Sequence, residues 1–500
     1  MISDYLVKLI LEYLININYV QFLKTYTLVC KHWTYKLIST LAIEQSIEII
    51  RSTLDIETTF NLNLLKKYRL TKYLLYFNSV LTDFIKSNFG VHIKSIYTNE
   101  LLVDSLMNTQ LYPNLSQVFI KHSPKLPITF LETFKISQYS NTIDFHLYYS
   151  GQDSGIIVLD INDFIQFSYI SLSHCTIKFK ISKISSKNRI KSLTLFSVGK
   201  DIPQMKLLLN QSPMLEELSL EFNFNEEQCT LFFKDMFTAT IPWTLKVLYI
   251  SEPIMIESVL VYILETVKSE KVEIYLDEVA PDKQVETIKL NPSIKKLLFY
   301  ADYNIHNYID NYENLESLNS NSEISTKPLI AKIKKLKCQT DYLWTNIKHF
   351  SETLTSVTVS HIFNTFTIDN VITLLNIKTL DRIHVSCFKL QAYNLVPDAL
   401  VDSLKSNTNL TCFILDSTYQ VSDYSHLNSI INILQTNYTL KSLGLPRDYE
   451  QLPEDLTLIN KQLCELFTKN KTIMKTSLRT IRPLYPILDQ FFIGNASKLN

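Results

Sequence analysis

The chain has 500 residues, of which 46% are hydrophobic and 20% charged, a balance that excludes a disordered polymer. Lysine plus arginine equals aspartate plus glutamate, and the formal net charge is zero. Neutrality argues against a duplex nucleic-acid binder, whose affinity rests on cationic contacts to phosphate, so no nucleic acid is expected as a partner.

Taken in chain order, residues 1–41 have a helical pattern. Leu6, Leu9, Ile10, Tyr13 and Leu14 mark one apolar face, and Ser3 or Asp4 can cap its start. Asp4, Lys8 and Glu12 interrupt any signal-peptide core, and no run reaches the roughly 20 apolar residues of a membrane span. The expectation is therefore a cytoplasmic or nuclear chain with no signal peptide, transmembrane segment or membrane partner. The helical pattern restarts at Val20, Leu23 and Tyr26 and ends in Val29-Cys30-Lys31-His32-Trp33. Residues 42–89 lack proline up to Asn88 and are expected to form a helical or mixed connector, with Leu64, Leu65, Leu70, Leu74 and Leu75 on helix faces.

From residue 90 to 490 one unit recurs: apolar, two variable residues, apolar, one variable, apolar. Clear copies begin at Ile93, Leu115, Ile190, Leu215, Leu245, Ile294, Leu354, Leu380, Leu410 and Leu440. Weaker ones begin at Phe167, Lys271, Leu315 and Ile333. A single match means little in an isoleucine-rich chain; recurrence at a regular interval is what carries weight. The late copies are preceded by Asn-x-x-apolar, at Asn407, Asn437 and Asn470, each after a helical stretch. Asparagine tolerates the left-handed conformation, so each is expected to end a helix that way. The unit then reads helix, asparagine, short strand of a parallel sheet, against a compact α/β fold as the alternative.

This pattern resembles leucine-rich-repeat proteins of the irregular, helix-containing type. The resemblance implies an α/β solenoid with a curved parallel sheet and outer helices. In the copy from Leu215 the asparagine typical of the family also stands three residues past the last leucine, at Asn223. The N-terminal Val29-Cys30-Lys31-His32-Trp33 resembles the second half of an F-box, although the Leu-Pro that usually opens that module is replaced by Asp4-Tyr5-Leu6. This second resemblance implies a small all-α F-box-like module ahead of the repeats. Leu6, Ile10, Leu14, Val29 and Trp33 would then bind a Skp-family adaptor within a cullin complex. The chain would be the substrate-recognition subunit of an SCF-type ubiquitin ligase, with an unknown protein target on the solenoid. The alternatives are a helical cap on a repeat scaffold with no ligase link and, more remotely, an enzyme on an unrecognised α/β fold.

No residue pattern points to catalysis or to a cofactor. The six glycines open no phosphate loop or dinucleotide fingerprint, and the seven cysteines are too scattered for a metal knuckle or a redox pair. The expectation is a non-enzyme with no cofactor and no metal. Side chains alternate along a strand. Leu218 and Leu220, Leu248 and Ile250, Val357 and Val359, Ile383 and Val385, Phe413 and Leu415, and Leu443 and Leu445 should therefore face the core. Between them Ser219, Tyr249, Thr358, His384, Ile414 and Gly444 should line the concave face and be more exposed; the first five of these are the expected partner-binding positions.

Overall fold

The computed structural model describes residues 11, 15, 37–38, 41–49, 70, 72–77, 95–99, 112–113, 115–122, 143–150, 156–160, 162, 165–174, 176–180, 188–196, 202–222, 225–237, 244–282, 288–301, 303, 314–320, 333–338, 352–359, 368–388, 396–417, 425–445, 456–480, 484–491 and 493–495. It divides the chain into one unit of Met1–Asn223 with Ile241–Thr244, and another of Phe224–Thr240 with Leu245–Asn500.

In the first unit, β1 (Ala42–Ile49) and β2 (Lys72–Phe77) pair in parallel. Leu74 and Leu75, expected on a helix, lie in β2. The run Lys-Tyr-Leu-Leu-Tyr-Phe is apolar and aromatic enough to favour a strand, and a short apolar run carries no periodicity that separates strand from helix. The strands β3 (Ser95–Asn99), β4 (Gln117–His122) and β5 (Asp144–Ser150) follow in parallel. Next come β6 (Ile156–Asp160), β7 (Tyr169–Ser173), β8 (Thr176–Lys180), β9 (Ser192–Phe196), helix α1 (Ile202–Asn210) and β10 (Glu217–Glu221). The ladder continues from β5 to β7, β9 and β10, all parallel, while β6 and β8 form a separate parallel pair. Val118, Phe145, Ile170, Leu193 and Leu218 are all buried.

The second unit repeats this plan at greater length. It opens with helix α2 (Glu226–Met236), whose start is fixed by a reciprocal cap: Asn225 Oδ1 accepts from Gln228 N at 2.9 Å, and Asn225 N donates to Gln228 Oε1 at 3.4 Å. Strand β11 (Leu245–Ile256), helix α3 (Glu257–Thr266) and β12 (Ser269–Ala280) follow. Then come β13 (Lys296–Tyr300), β14 (Ser317–Ser320), β15 (Lys335–Cys338), β16 (Ser356–Val359), α4 (Ile368–Leu375), β17 (Arg382–Phe388), α5 (Asp398–Ser406) and β18 (Cys412–Ser417). The unit ends with α6 (Ser425–Thr436), β19 (Ser442–Gly444), α7 (Leu456–Lys469), β20 (Lys475–Thr476), helix α8 (Tyr485–Gln490) and β21 (Gly494–Asn495).

Each strand from β11 to β21 pairs in parallel with the next. Among the described residues neither unit's ladder closes on itself. This open parallel sheet with interspersed helices is the arrangement of an α/β solenoid. Ser317 pairs with Lys335 and Ser442 with Lys475, so the repeat pitch runs from 18 to 33 residues. The longer pitches belong to the units that carry α5, α6 and α7.

The repeat register is the expected one. Leu248, Val272, Leu297, Leu318, Leu336, Val357, Ile383, Phe413 and Leu443 stand in one buried row across successive strands. The leading residues Leu245, Leu354, Leu380, Leu410 and Leu440 are buried with them. Buried aliphatic side chains of this size each contribute about 1.5–3 kcal/mol, and every repeat adds its own set. Helix residues Leu400, Val401, Leu404, Leu427, Ile430 and Leu434 close the same core.

The asparagines work by a different device from the one expected. Asn407 ends α5 with φ −74° and ψ 122°, an extended and not a left-handed conformation. Its side chain does the capping. Oδ1 accepts from the Asn409 and Leu410 amides at 3.0 and 2.9 Å, turning the chain into the next strand, while Nδ2 donates to Leu375 O, in the preceding repeat, at 2.8 Å. Asn437 repeats this, donating to Leu404 O and Asn407 O at 2.7 and 2.8 Å. Asn470 donates to Leu434 O and Asn437 O, both at 2.8 Å. Each side chain thus satisfies a helix-end carbonyl that lacks an intrahelical partner, and it staples one repeat to the one before. Asn291 has the same place ahead of β13, its Oδ1 accepting from Ser293 N at 3.0 Å and its Nδ2 donating to Glu265 O at 3.4 Å.

Candidate functional site

The adaptor-binding residues expected at the N-terminus, Leu6, Ile10, Leu14, Val29 and Trp33, lie outside the described residues, as do Leu64 and Leu65 of the connector. Leu11 and Ile15, within the same stretch, are helical or buried: Leu11 and Ile15 are both in helix and both inaccessible to solvent.

The partner-binding positions expected on the repeats can be placed. Ser219, Tyr249, Thr358 and His384 all lie on the sheet face opposite the core, each half-buried between two buried neighbours. Thr358, His384, Ile414 and Gly444 stand in one register row on adjacent strands. Ile414 and Gly444 depart from the expectation, because both are buried; Ile414 is only 1% exposed. Gly444 offers no side chain to hold Ile414 upright, and a Cβ placed there would stand 3.3 Å from Ile414 Cγ2. Ile414 therefore forms the floor of a depression and does not project from the face.

That depression is a cavity of about 370 Å³. The row beside Thr358 and His384 explains it. Arg382, Cys412, Ser442 and Lys475 are register partners on β17 to β20. Two short side chains lie between two long cationic ones, so the row dips in its middle. Thr358, His384, Lys441 and Met474 also line it. Among the described residues the lining contains Arg382, Lys441 and Lys475 and no aspartate or glutamate. Asp381 lies alongside, its carboxylate 3.6 Å from Arg382 Nε and accepting from Thr411 Oγ1 at 2.5 Å. Burial pushes the Cys412 thiol up against the opposing pull of Arg382, which keeps it a neutral part of the floor.

The alignment of copies already contains this trough. Arg382, Cys412 and Ser442 each precede the second apolar position of their copy, and Lys475 holds the equivalent place two residues after Ile473. Alternation alone points to a different column, the one between the second and third apolar positions that holds Ser219, Thr358 and His384.

In the first unit the face of its own sheet opposite the core carries an aromatic group. Phe119 and His146 rings are 4.3 Å apart, His146 and Tyr169 5.5 Å, and Tyr148 and Tyr169 5.1 Å. Burial lowers the His146 pKa, with Asp144 opposing, and its Nδ1 is buried with no hydrogen-bond partner among the described residues. A second stack, Tyr249, Tyr275 and Tyr300, spans β11 to β13 at 5.2 and 4.4 Å.

Among the described residues no three His, Cys, Asp or Glu side chains gather as a metal site, and no helix is long and apolar enough to cross a membrane. The buried thiols are unreactive as placed: burial pushes Cys229 up to about 12 and raises Cys338 as well. Comparison of the sequence with protein-family models and with curated proteins finds no match.

Proposed function

We propose that this chain is a non-catalytic scaffold that binds another protein on the sheet face opposite its core. The observation that supports this is the register of that face: side chains from consecutive strands stand in straight rows, held by a core and an asparagine ladder that fix each repeat against the last. A rigid, extended array of partly exposed side chains suits recognition of a protein surface or segment. The finer reading is the substrate-recognition subunit of an SCF-type, cullin-RING ubiquitin ligase. Val29-Cys30-Lys31-His32-Trp33 supports it, with Leu6, Ile10, Leu14, Val29 and Trp33 as the contacts to a Skp-family adaptor. Catalysis would then belong to other subunits, and a scaffold without the ligase link is the alternative.

Co-purification separates the two. On the ligase reading the tagged chain brings down a Skp-family adaptor, and Val29→Asp with Trp33→Ala removes it, since losing a packed aromatic costs about 3–5 kcal/mol in so small a module. Adaptor retained by the double variant, or no adaptor with the unaltered chain, leaves the plain scaffold.

A further inference from the structure

Resting on the scaffold reading, we propose that the trough on β17 to β20 binds an extended acidic segment of the partner, its Asp or Glu carboxylates meeting Arg382, Lys441 and Lys475. Three observations carry this. Among the described residues the lining holds three cations and no acid, Asp381 standing just outside it 3.6 Å from Arg382 Nε. Of the other lysines on that register row, Lys271 is matched by Glu273 and Lys296 by Glu270, while Lys335, outside the lining, has no carboxylate within 4 Å among the described residues. Lys441 and Lys475 have no carboxylate within 4 Å among the described residues. The third is the cavity itself, which is open where Cys412 and Ser442 are small and a longer side chain would fill it.

Spacing decides between a distributed acid and a single phosphoryl group. Arg382 and Lys475 are three strands apart, roughly 14 Å at about 4.8 Å per strand. An extended chain presents side chains on one face about every 6.8 Å. Acids at alternate positions therefore match the row of cations from end to end. One phosphoryl group would engage the middle or one end and leave a cation unmatched. The hydroxyl of Ser442 and the edge of Thr411 lie between the charges and can serve the peptide backbone. Charge pairs at such a rim govern partner choice and encounter rate and weaken with salt.

Fluorescence anisotropy on the full chain tests this with three fluorescein-labelled peptides of about nine residues, long enough to span the trough. One alternates glutamate with serine, one has glutamine for every glutamate, and one is the glutamine peptide with a single central phosphoserine. The glutamate peptide should bind and the glutamine peptide should not, and the phosphoserine peptide should bind about tenfold more weakly than the glutamate one. Lys441→Gln with Lys475→Gln should weaken the glutamate peptide by about tenfold or more, and Lys296→Gln should leave it unchanged. Ser442→Leu keeps every charge and should also abolish binding by filling the trough; its melting temperature is read beside it, and if the fold suffers the lysine pair decides. The proposal is overturned if the glutamate peptide does not bind the unaltered chain, if the lysine pair leaves its affinity unchanged, or if the phosphoserine peptide binds tighter. A partner held on this face that ignores Lys441→Gln with Lys475→Gln also overturns it while leaving the scaffold standing; a chain with no partner on this face removes both.

Discussion

At the scale of single residues, alternation along the strand makes neighbours unequal. Leu218 is buried in the core row, and Ser219 points to the opposite face beside Thr194. Leu218→Asp buries a charge without a partner and should cost several kcal/mol, whereas Ser219→Asp should cost about 1 kcal/mol or less. Urea unfolding of the two variants measures the difference, and equal losses would mean the register is wrong. His146 makes a second prediction. Its ordinary value is 6.5 and burial lowers it in the folded chain, so the unfolded chain takes up the proton first as pH falls. The stability it supports is whole above 6.5 and drains away as pH drops from there through the folded value. His146→Phe, which keeps an aromatic ring against Phe119 and Tyr169, should flatten the fall between about pH 7.5 and about pH 5.5. An unchanged slope in that variant would locate the pH dependence elsewhere.

At the scale of elements, the asparagine ladder joins helix ends to strand starts. Asn437 is 3% exposed and donates to two carbonyls while accepting from the Thr439 and Leu440 amides. Asn437→Ala leaves those groups buried without partners and should cost roughly 2–4 kcal/mol, and Asn437→Asp should not rescue it, because the two donors are still missing. Hydrogen exchange should show the loss at both α5 and β19, since the side chain ties one to the other. A loss confined to residues next to 437 would argue against a staple between repeats. The sequence made this position visible through Asn-x-x-apolar but not its mechanism. Left-handed capping and side-chain capping select the same residue, and only backbone angles and bond partners tell them apart. Strand β5 went unseen for a related reason. Ile143, Phe145 and Leu147 alternate strictly, without the apolar residue three places ahead that marks the clear copies. Alternation alone is common in such a chain.

At the scale of the whole molecule, repetition was the legible part. Every copy recognised from the repeat pattern, weak ones included, lies on a strand of the two parallel ladders, because a core that must be rebuilt in each repeat leaves the same apolar trace each time. The face opposite the core was legible only in part. Thr358 and His384 were found from alternation, but the trough was not, since it depends on which side chains are small in adjacent strands. Ile414 shows the limit: alternation places it on the open face, and its neighbour Gly444 lets it sink into the floor. The central claim, that a partner binds this face, is tested most directly by photo-cross-linking in the source cells. A photoreactive residue placed at Thr358, on the face, is compared with one at Asp402, whose side chain is 74% exposed on α5. The account predicts a protein adduct from position 358 and none from position 402; an adduct from 402 with none from 358 would contradict it.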